Sequence, residues 1–336
     1  MKKSLYMSLT LLSLLTIVNC GGGDNTTSQL PLTPTSVLSE HKESNITNTL
    51  PSENNTSINQ PETEIVTQKT SLEKVCNLST TVNENSGLIL IDNQLWTHND
   101  RGDDAKLYQI DKETGKILKT ITIDNALNYD WEDITYDENY VYIGDFGNNK
   151  GNRKNLKIYK IIRNELQTKQ HLQAEIIEFT YGDQTDFTKK SNANNFDAEA
   201  LISYRDKLYI FSKNWIDQKT RVYELDKNEG THIAQYQDTL DTQGLVTGAS
   251  IYNDRLVLVG YSKTLVPKLW ILSNFENSNF FSSKVKSLSL NTTHAQIEGV
   301  TFSSDFDLLL SSEKFSRSIF NFPATLYTIN ILSLLD

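Results

Sequence analysis

The 336-residue sequence predicts an all-β chain folded as a β-propeller of five blades and closed by an N-terminal strand. Three observations predict it. Between residues 84 and 331 the chain repeats itself five times, at a period of roughly 50 residues. Each repeat holds short strands separated by turn residues, with the inner strands most apolar and the outer one most polar, which is the pattern of a propeller blade. Helical periodicity is absent throughout, which leaves no basis for a doubly wound α/β fold.

The strands follow in order. Each repeat opens on an apolar strand: Gly87–Ile91, Glu132–Tyr136, Glu199–Tyr204, Gly248–Tyr252 and Glu298–Phe302. Turns built on Asp92 and Asn93, Asp137 to Asn139, Arg205 and Asp206, Asn253 and Asp254, and Ser303 to Asp305 come next. These residue types accept the left-handed backbone of tight hairpins. Second strands follow at Gln94–Thr97, Tyr140–Ile143, Lys207–Phe211, Arg255–Val259 and Leu308–Leu310, and third strands at Lys106–Ile110, Leu156–Ile161, Arg221–Leu225, Lys268–Leu272 and Thr325–Ile329. Fourth strands, Ile117–Ile123, Glu175–Tyr181, Thr231–Gln237 and Lys284–Leu290, occur in the first four repeats only. The fifth repeat lacks one, and the unpaired Leu72–Leu78 segment supplies it, locking the ring. One blade alone cannot bury both of its faces, whereas a closed ring can. The long 162–198 stretch leaves a sixth, atypical blade as the alternative.

Three segments carry a family resemblance: Trp96 to Asp100, Asp130 to Asp133 followed by Tyr142 to Asn149, and Phe196 to Ala200. Over Asn83 to Ala234 the chain resembles secreted bacterial propellers of the phytase-like and SdiA-regulated type. The resemblance implies the propeller fold; one fold hosts many activities, so it does not choose among them.

Before the repeats, Lys2 and Lys3 precede an apolar stretch, Leu5 to Val18, with the charge layout of a secretory signal. The stretch ends in Ile17, Val18, Asn19 and Cys20. It resembles a bacterial lipoprotein signal, departing from it at Asn19, where a smaller residue is usual. The resemblance implies cleavage after residue 19 and acylation of Cys20, since stable anchoring takes two or more chains. Gly21, rather than Asp, implies the outer membrane. Residues 20–70 turn to Ser, Thr, Asn, Gln and Pro without a single aromatic, which reads as a disordered tether with a reach of roughly 40 Å. The predicted layout is thus a signal over 1–19, a lipidated tether over 20–70 and a propeller over 71–336.

Composition narrows the partners. Asp and Glu outnumber Lys and Arg 42 to 32, a surface that repels polyphosphate and argues against nucleic acid. Two cysteines make no disulfide framework, and no Cys/His cluster exists to hold zinc. No Gly-x-Ser-x-Gly elbow occurs.

In a propeller, the entries to the inner strands and the loops joining second to third strands share one face. Three repeats carry a common pattern there: Asp130-x-Glu132, Asp197-x-Glu199 and Gln296-x-Glu298. Residues two apart on a strand point the same way, so Asp130, Glu132, Asp197, Glu199 and Glu298 are expected to converge on the channel mouth. Carboxylates so gathered must share protons, accept N–H bonds, pair with cations or bind a hard cation such as Ca²⁺; the alternative is that they close the ring by accepting N–H bonds. Ser86, Gly87 and Gly248 are expected to leave room in the other two repeats. The neighbouring loops add His98, Asp100, Arg101, Asp145, Arg153, Lys213 and Trp215 as candidate ligand-binding residues, with Glu313 beyond them. The expected role is a membrane-anchored binding or scaffolding module, its partner an envelope protein, a glycan or an anionic small molecule. A calcium-assisted phosphate or carboxylic ester hydrolase is the alternative, with no catalytic residue assigned.

Overall fold

The computed structural model describes residues 64–292, 295–317 and 320–335. The signal segment, Cys20 and the tether up to residue 63 lie outside the described residues.

Five four-stranded blades, with strands a to d running outward, make the fold. Strands a are Asn85–Ile91, Trp131–Tyr136, Ala198–Tyr204, Leu245–Tyr252 and Ile297–Phe302. Each packs against the next around the channel, and the fifth closes on the first. In blades 1 to 4 the outer strands d are Ile117–Ile123, Glu175–Tyr181, Gly230–Leu240 and Lys284–Asn291. Blade 5 takes its d strand from the N-terminal side: Glu73–Asn77 pairs antiparallel with Thr325–Asn330. The ring is therefore closed by hydrogen bonds between distant parts of the chain, as the unpaired apolar segment predicted.

The core confirms the blade count. Five hydrophobic clusters fill the five spaces between adjacent blades, including the space between blade 5 and blade 1. Alternation along one strand shows how: Leu256 and Leu258 face blade 3, whereas Val257 and Val259 face blade 5. Both faces of each blade are buried, which is why the inner strands read as nearly continuous apolar runs. The 162–198 stretch adds no sixth blade. It holds the one-turn helix Glu165–Thr168, the short strand His171–Leu172 on the edge of blade 1, and strand d of blade 2.

Two features lay beyond the sequence reading. Glu64–Ser71 forms a strand parallel to strand d of blade 4, so residues 64–70, expected at the end of the tether, belong to the folded unit. Strands d of blades 2 and 3 also pair in parallel, Ile177 opposite Gly230 through Tyr181 opposite Ala234. Both pairings cover outer edges that would otherwise present unpaired N–H and C=O groups. The a–b hairpins follow expectation: Asp92, Asn93, Asn253 and Asp254 all have positive φ. Cys76, in the closing strand, is a half-buried free thiol.

Candidate functional site

The upper channel mouth is built by a bulge repeated in every blade. In the a–b ladders the register skips Glu132, Glu199, Thr247 and Glu298, and in blade 1 it skips Ser86 and Gly87. A bulge re-aims the extra residue. It turns these side chains toward the axis and makes Ser86, Glu132, Glu199, Thr247 and Glu298 a ring. Gly248 is thus not the position that leaves room in blade 4, because it pairs in the ladder with Val259. Thr247 stands there, donating its hydroxyl to Ile297 O at 2.7 Å. Ser86 likewise donates to Glu132 O. The two hydroxyls stitch neighbouring blades together.

A second tier lies above the first. Asp100, Gly147, Lys213 and Glu313 each donate a backbone N–H to the residue two before the bulge, namely Glu84, Asp130, Asp197 and Gln296. Tyr261 takes this place in blade 4, opposite Leu245. The resulting cavity, about 230 Å³, is lined by six carboxylates, Glu84, Asp100, Glu132, Glu199, Glu298 and Glu313, against two cations, Arg101 and Lys213. At the opposite end of the channel a cavity of about 300 Å³ is lined by no Asp, Glu, Lys, Arg or His. Charge is therefore concentrated at one mouth.

Burial and mutual repulsion push the carboxyls up. Burial drives Glu132 well above the usual carboxylate range, and Glu199, Asp100 and Asp130 add to it. Glu199 and Glu298 are raised for the same first reason, with Lys213 pulling against it. Lys213 sits 3.1 Å from Glu199, and both side chains are buried. Burial works against its charge, but Glu199, Tyr261, Glu298 and Asp197 outweigh that and hold it well above the ordinary lysine value. Burial, with Asp100 and Glu84, pushes Glu313 up to about 8.

A pH dependence follows. The folded pKa of Glu313 lies above the ordinary value of about 4.3. Its contribution to stability is complete below that value and is lost as pH rises through about 8. Asp100, Glu84, Lys213 and Glu199 face it, and Glu298 lies beside it. In chelator-treated buffer the melting temperature is expected to rise as pH falls from about 9 to 6, and Glu313→Gln should flatten that slope. Thermal melts across this range check it; a parent flat over the window would contradict it. Asp111 and Asp307, held low by their hydrogen bonds, act only below the window.

Of the residues expected from sequence, Asp100, Arg101, Glu132, Glu199, Lys213, Trp215 and Glu298 meet at the mouth. Asp130 lies beside them in an adjoining cavity shared with Arg101, Asn149 and Arg153. The others are placed elsewhere. Asp197 does not face the channel as a free ligand: it accepts N–H bonds from Asn148 and, at 2.7 Å, from Trp215 Nε1. Asp145 and Arg153 form a buried ion pair at 2.8 Å, and Arg153 also donates to Gly147 O at 2.7 Å. Their role is to shape the b–c loop of blade 2. His98 is buried between blades 1 and 2, edge-on to Trp131 at 5.6 Å. Burial lowers it to about 4, so it is neutral at physiological pH and does not reach a ligand.

Sequence reasoning missed Asp133. Its carboxylate lies inside the channel and accepts N–H bonds from Ile134 (2.8 Å), Leu201 (2.8 Å) and Ala249 (3.2 Å), three residues on three blades. It occupies the position after the bulge, where blades 1, 4 and 5 carry Gly87, Gly248 and Gly299. A carboxylate in place of that glycine was the one available signal.

No protein-family model matches the chain, and no curated protein matches it. Solved structures do. A GH43 enzyme from Xanthomonas citri is 10% identical over 76% of this chain and 89% of its own, with a TM-score of 0.43. An exo-β-1,3-galactanase from Phanerochaete chrysosporium is 8% identical over 77% and 64%, with a TM-score of 0.48. A DUF4623 family protein from Bacteroides eggerthii is 14% identical over 75% and 61%, with a TM-score of 0.38.

Proposed function

We propose that this chain is a lipid-anchored envelope protein whose propeller binds, rather than turns over, a ligand presenting a positive centre to the upper mouth. One observation carries the reading: six carboxylates line that cavity against two cations, a shortage of positive charge, while burial first and neighbouring carboxylates second push Glu132, Glu199 and Glu298 up. A cationic group relieves that shortage directly. An anionic small molecule enters such a mouth only with a cation to bridge it. A glycan or a protein partner fits the reading where it presents an ammonium, a guanidinium or a bound cation.

Calorimetric titration of the full chain with calcium chloride, spermidine and lysine amide tests this. At least one is expected to bind saturably at 1:1, with affinity falling at least tenfold in Glu132→Gln, about 1.4 kcal/mol or more. No saturable binding of any of the three would overturn the reading.

The anchor rests on the lipoprotein-like segment ending at Cys20. Labelling with a palmitate analogue in a bacterial host is expected to mark the parent chain and not Cys20→Ser, and the variant should leave the membrane fraction. Equal labelling of both would remove the anchor.

Ester hydrolysis is the second reading. Burial pushes Asp130 up to about 6 and Glu313 up to about 8, so a largely ionised carboxyl in the adjoining cavity and a largely protonated one in the mouth stand ready near neutral pH for acid–base chemistry. Turnover of chromogenic phosphate or acyl esters with calcium, lost in Glu199→Gln, would favour it.

A further inference from the structure

We propose that the lower end of the channel is a second binding site, which takes an uncharged, hydroxyl-rich ring of monosaccharide size. Its cavity is separate from the upper mouth. The two share no lining residue, and the buried Asp133 carboxylate reaches across the channel between them to blades 3 and 4.

Charge comes first. The cavity measures about 300 Å³, at the small end of the roughly 300–1,000 Å³ that small-molecule sites occupy. No Asp, Glu, Lys, Arg or His lines it, so an ion entering it would give up its water without meeting an opposite charge. The occupant is therefore neutral.

Hydrogen-bonding groups come second. The a–b hairpins of blades 1, 3 and 4 close on the pairs Ile91 with Gln94, Tyr204 with Lys207 and Tyr252 with Arg255. Bonded pairs alternate with unbonded ones along an antiparallel ladder, so the residues one step back, Leu90, Ser203 and Ile251, turn their N–H and C=O groups to the channel. Protein groups meet some of this set. Thr301 Oγ1 accepts from Leu90 N–H at 3.2 Å, Thr135 Oγ1 accepts from Ser203 N–H at 3.1 Å, and Tyr136 O–H donates to Leu90 O at 2.9 Å. Both threonines act there as acceptors, which leaves their own hydroxyl hydrogens to donate. Ser203 Oγ is buried with no hydrogen-bond partner. Buried groups of this kind are costly unless something meets them. Hydroxyls donate and accept at once and so answer such a lining, whereas a wholly apolar ligand does not.

Aromatic rings come third. Tyr136, Tyr252 and Phe302, from blades 2, 4 and 5, line the same cavity. The Tyr252 and Phe302 rings lie 5.8 Å apart at 31°, and Tyr252 is 42% exposed, so ring surface is open to an occupant. A saturated ring carrying hydroxyls sets its C–H groups against such a surface and its hydroxyls on the strand groups.

Calorimetric titration of the full chain with glucose, galactose and myo-inositol, and with glucuronate and galacturonate as charged counterparts of the two sugars, tests the site. At least one neutral probe is expected to bind saturably at 1:1, and each uronate should bind at least tenfold more weakly than its sugar. Ser203→Ala removes a hydroxyl without a partner in the protein, so it should weaken binding at least threefold and leave the melting temperature in place. Tyr252→Ala should weaken binding at least tenfold, with circular dichroism checking its fold, and Glu132→Gln by less than twofold. Three results would overturn the inference. If no neutral probe saturates at tens of millimolar, the cavity holds water alone. If the uronates bind as tightly as the sugars, the uncharged lining does not select. If binding falls in Glu132→Gln and in neither lower-cavity variant, the ring sits in the upper mouth. The cation-binding reading stands or falls on its own panel whichever of these is found.

Discussion

Replacing Asp133 by Ala is expected to destabilise the propeller by about 3–6 kcal/mol, from three buried N–H groups at about 1–2 kcal/mol each. The carboxylate is 1% exposed and joins three blades through Ile134, Leu201 and Ala249. Burial drives its pKa well above the carboxylate range, and the three N–H bonds oppose that. Domains of this kind hold about 5–15 kcal/mol in total, so the loss would consume a large part of it. Asp133→Asn should cost less. Its amide oxygen can keep the Oδ2 position that serves both Leu201 and Ala249, giving up only the bond to Ile134. Denaturant unfolding of the parent and both variants measures the order. An Ala variant within about 1 kcal/mol of the parent would show that these bonds do not hold the ring.

Lys213→Met has the second largest expected effect, and its sign depends on pH. The methionine keeps an apolar stem between the rings of Trp215 and Tyr261, which lie 5.1 and 5.3 Å from the ammonium. It leaves Glu199 buried with no partner charge. Breaking a buried pair from one side costs about 3–5 kcal/mol, and that loss is expected at pH about 8.5. Without Lys213 the raised pKa of Glu199 climbs further, and a carboxyl raised in the folded state regains stability as pH falls. The deficit should therefore shrink as pH is lowered toward about 5.5, because a lower pH favours the neutral, protonated Glu199. Melting temperatures at the two pH values separate this from a packing defect, which would be the same at both.

Most strand positions were legible from sequence because blades are local. Strand d of blade 1, Ile117–Ile123, and strand d of blade 2, Glu175–Tyr181, stand where the alternation placed them. The closing strand was legible because an apolar segment and an incomplete fifth repeat each lacked a partner. The parallel strand Glu64–Ser71 was not, because its partner, Lys284–Asn291, lies more than two hundred residues away and its polar sequence matches the tether. Within the site, spacing brought Glu132, Glu199 and Glu298 together correctly. It misjudged Asp197, His98 and Asp145, whose type and position fit a ligand but whose hydrogen bonds and packing are already taken by Trp215, Trp131 and Arg153.

The division has a physical cause. Local periodicity, turn residues and a repeat of fixed length are properties of the chain itself, so the sequence alone determined the β class, the blade pattern and the face on which carboxylates recur. Where each carboxylate points depends on the bulges at Ser86, Glu132, Glu199, Thr247 and Glu298, which exist only once strands a and b have paired. Whether a carboxylate is satisfied depends on partners from other blades: Asp133 finds three N–H groups, Glu199 finds Lys213, and Asp130 Oδ1 finds no hydrogen bond. Those partners are distant in sequence and adjacent only in the closed ring, so tertiary structure alone decided which acids hold the fold and which remain for a ligand.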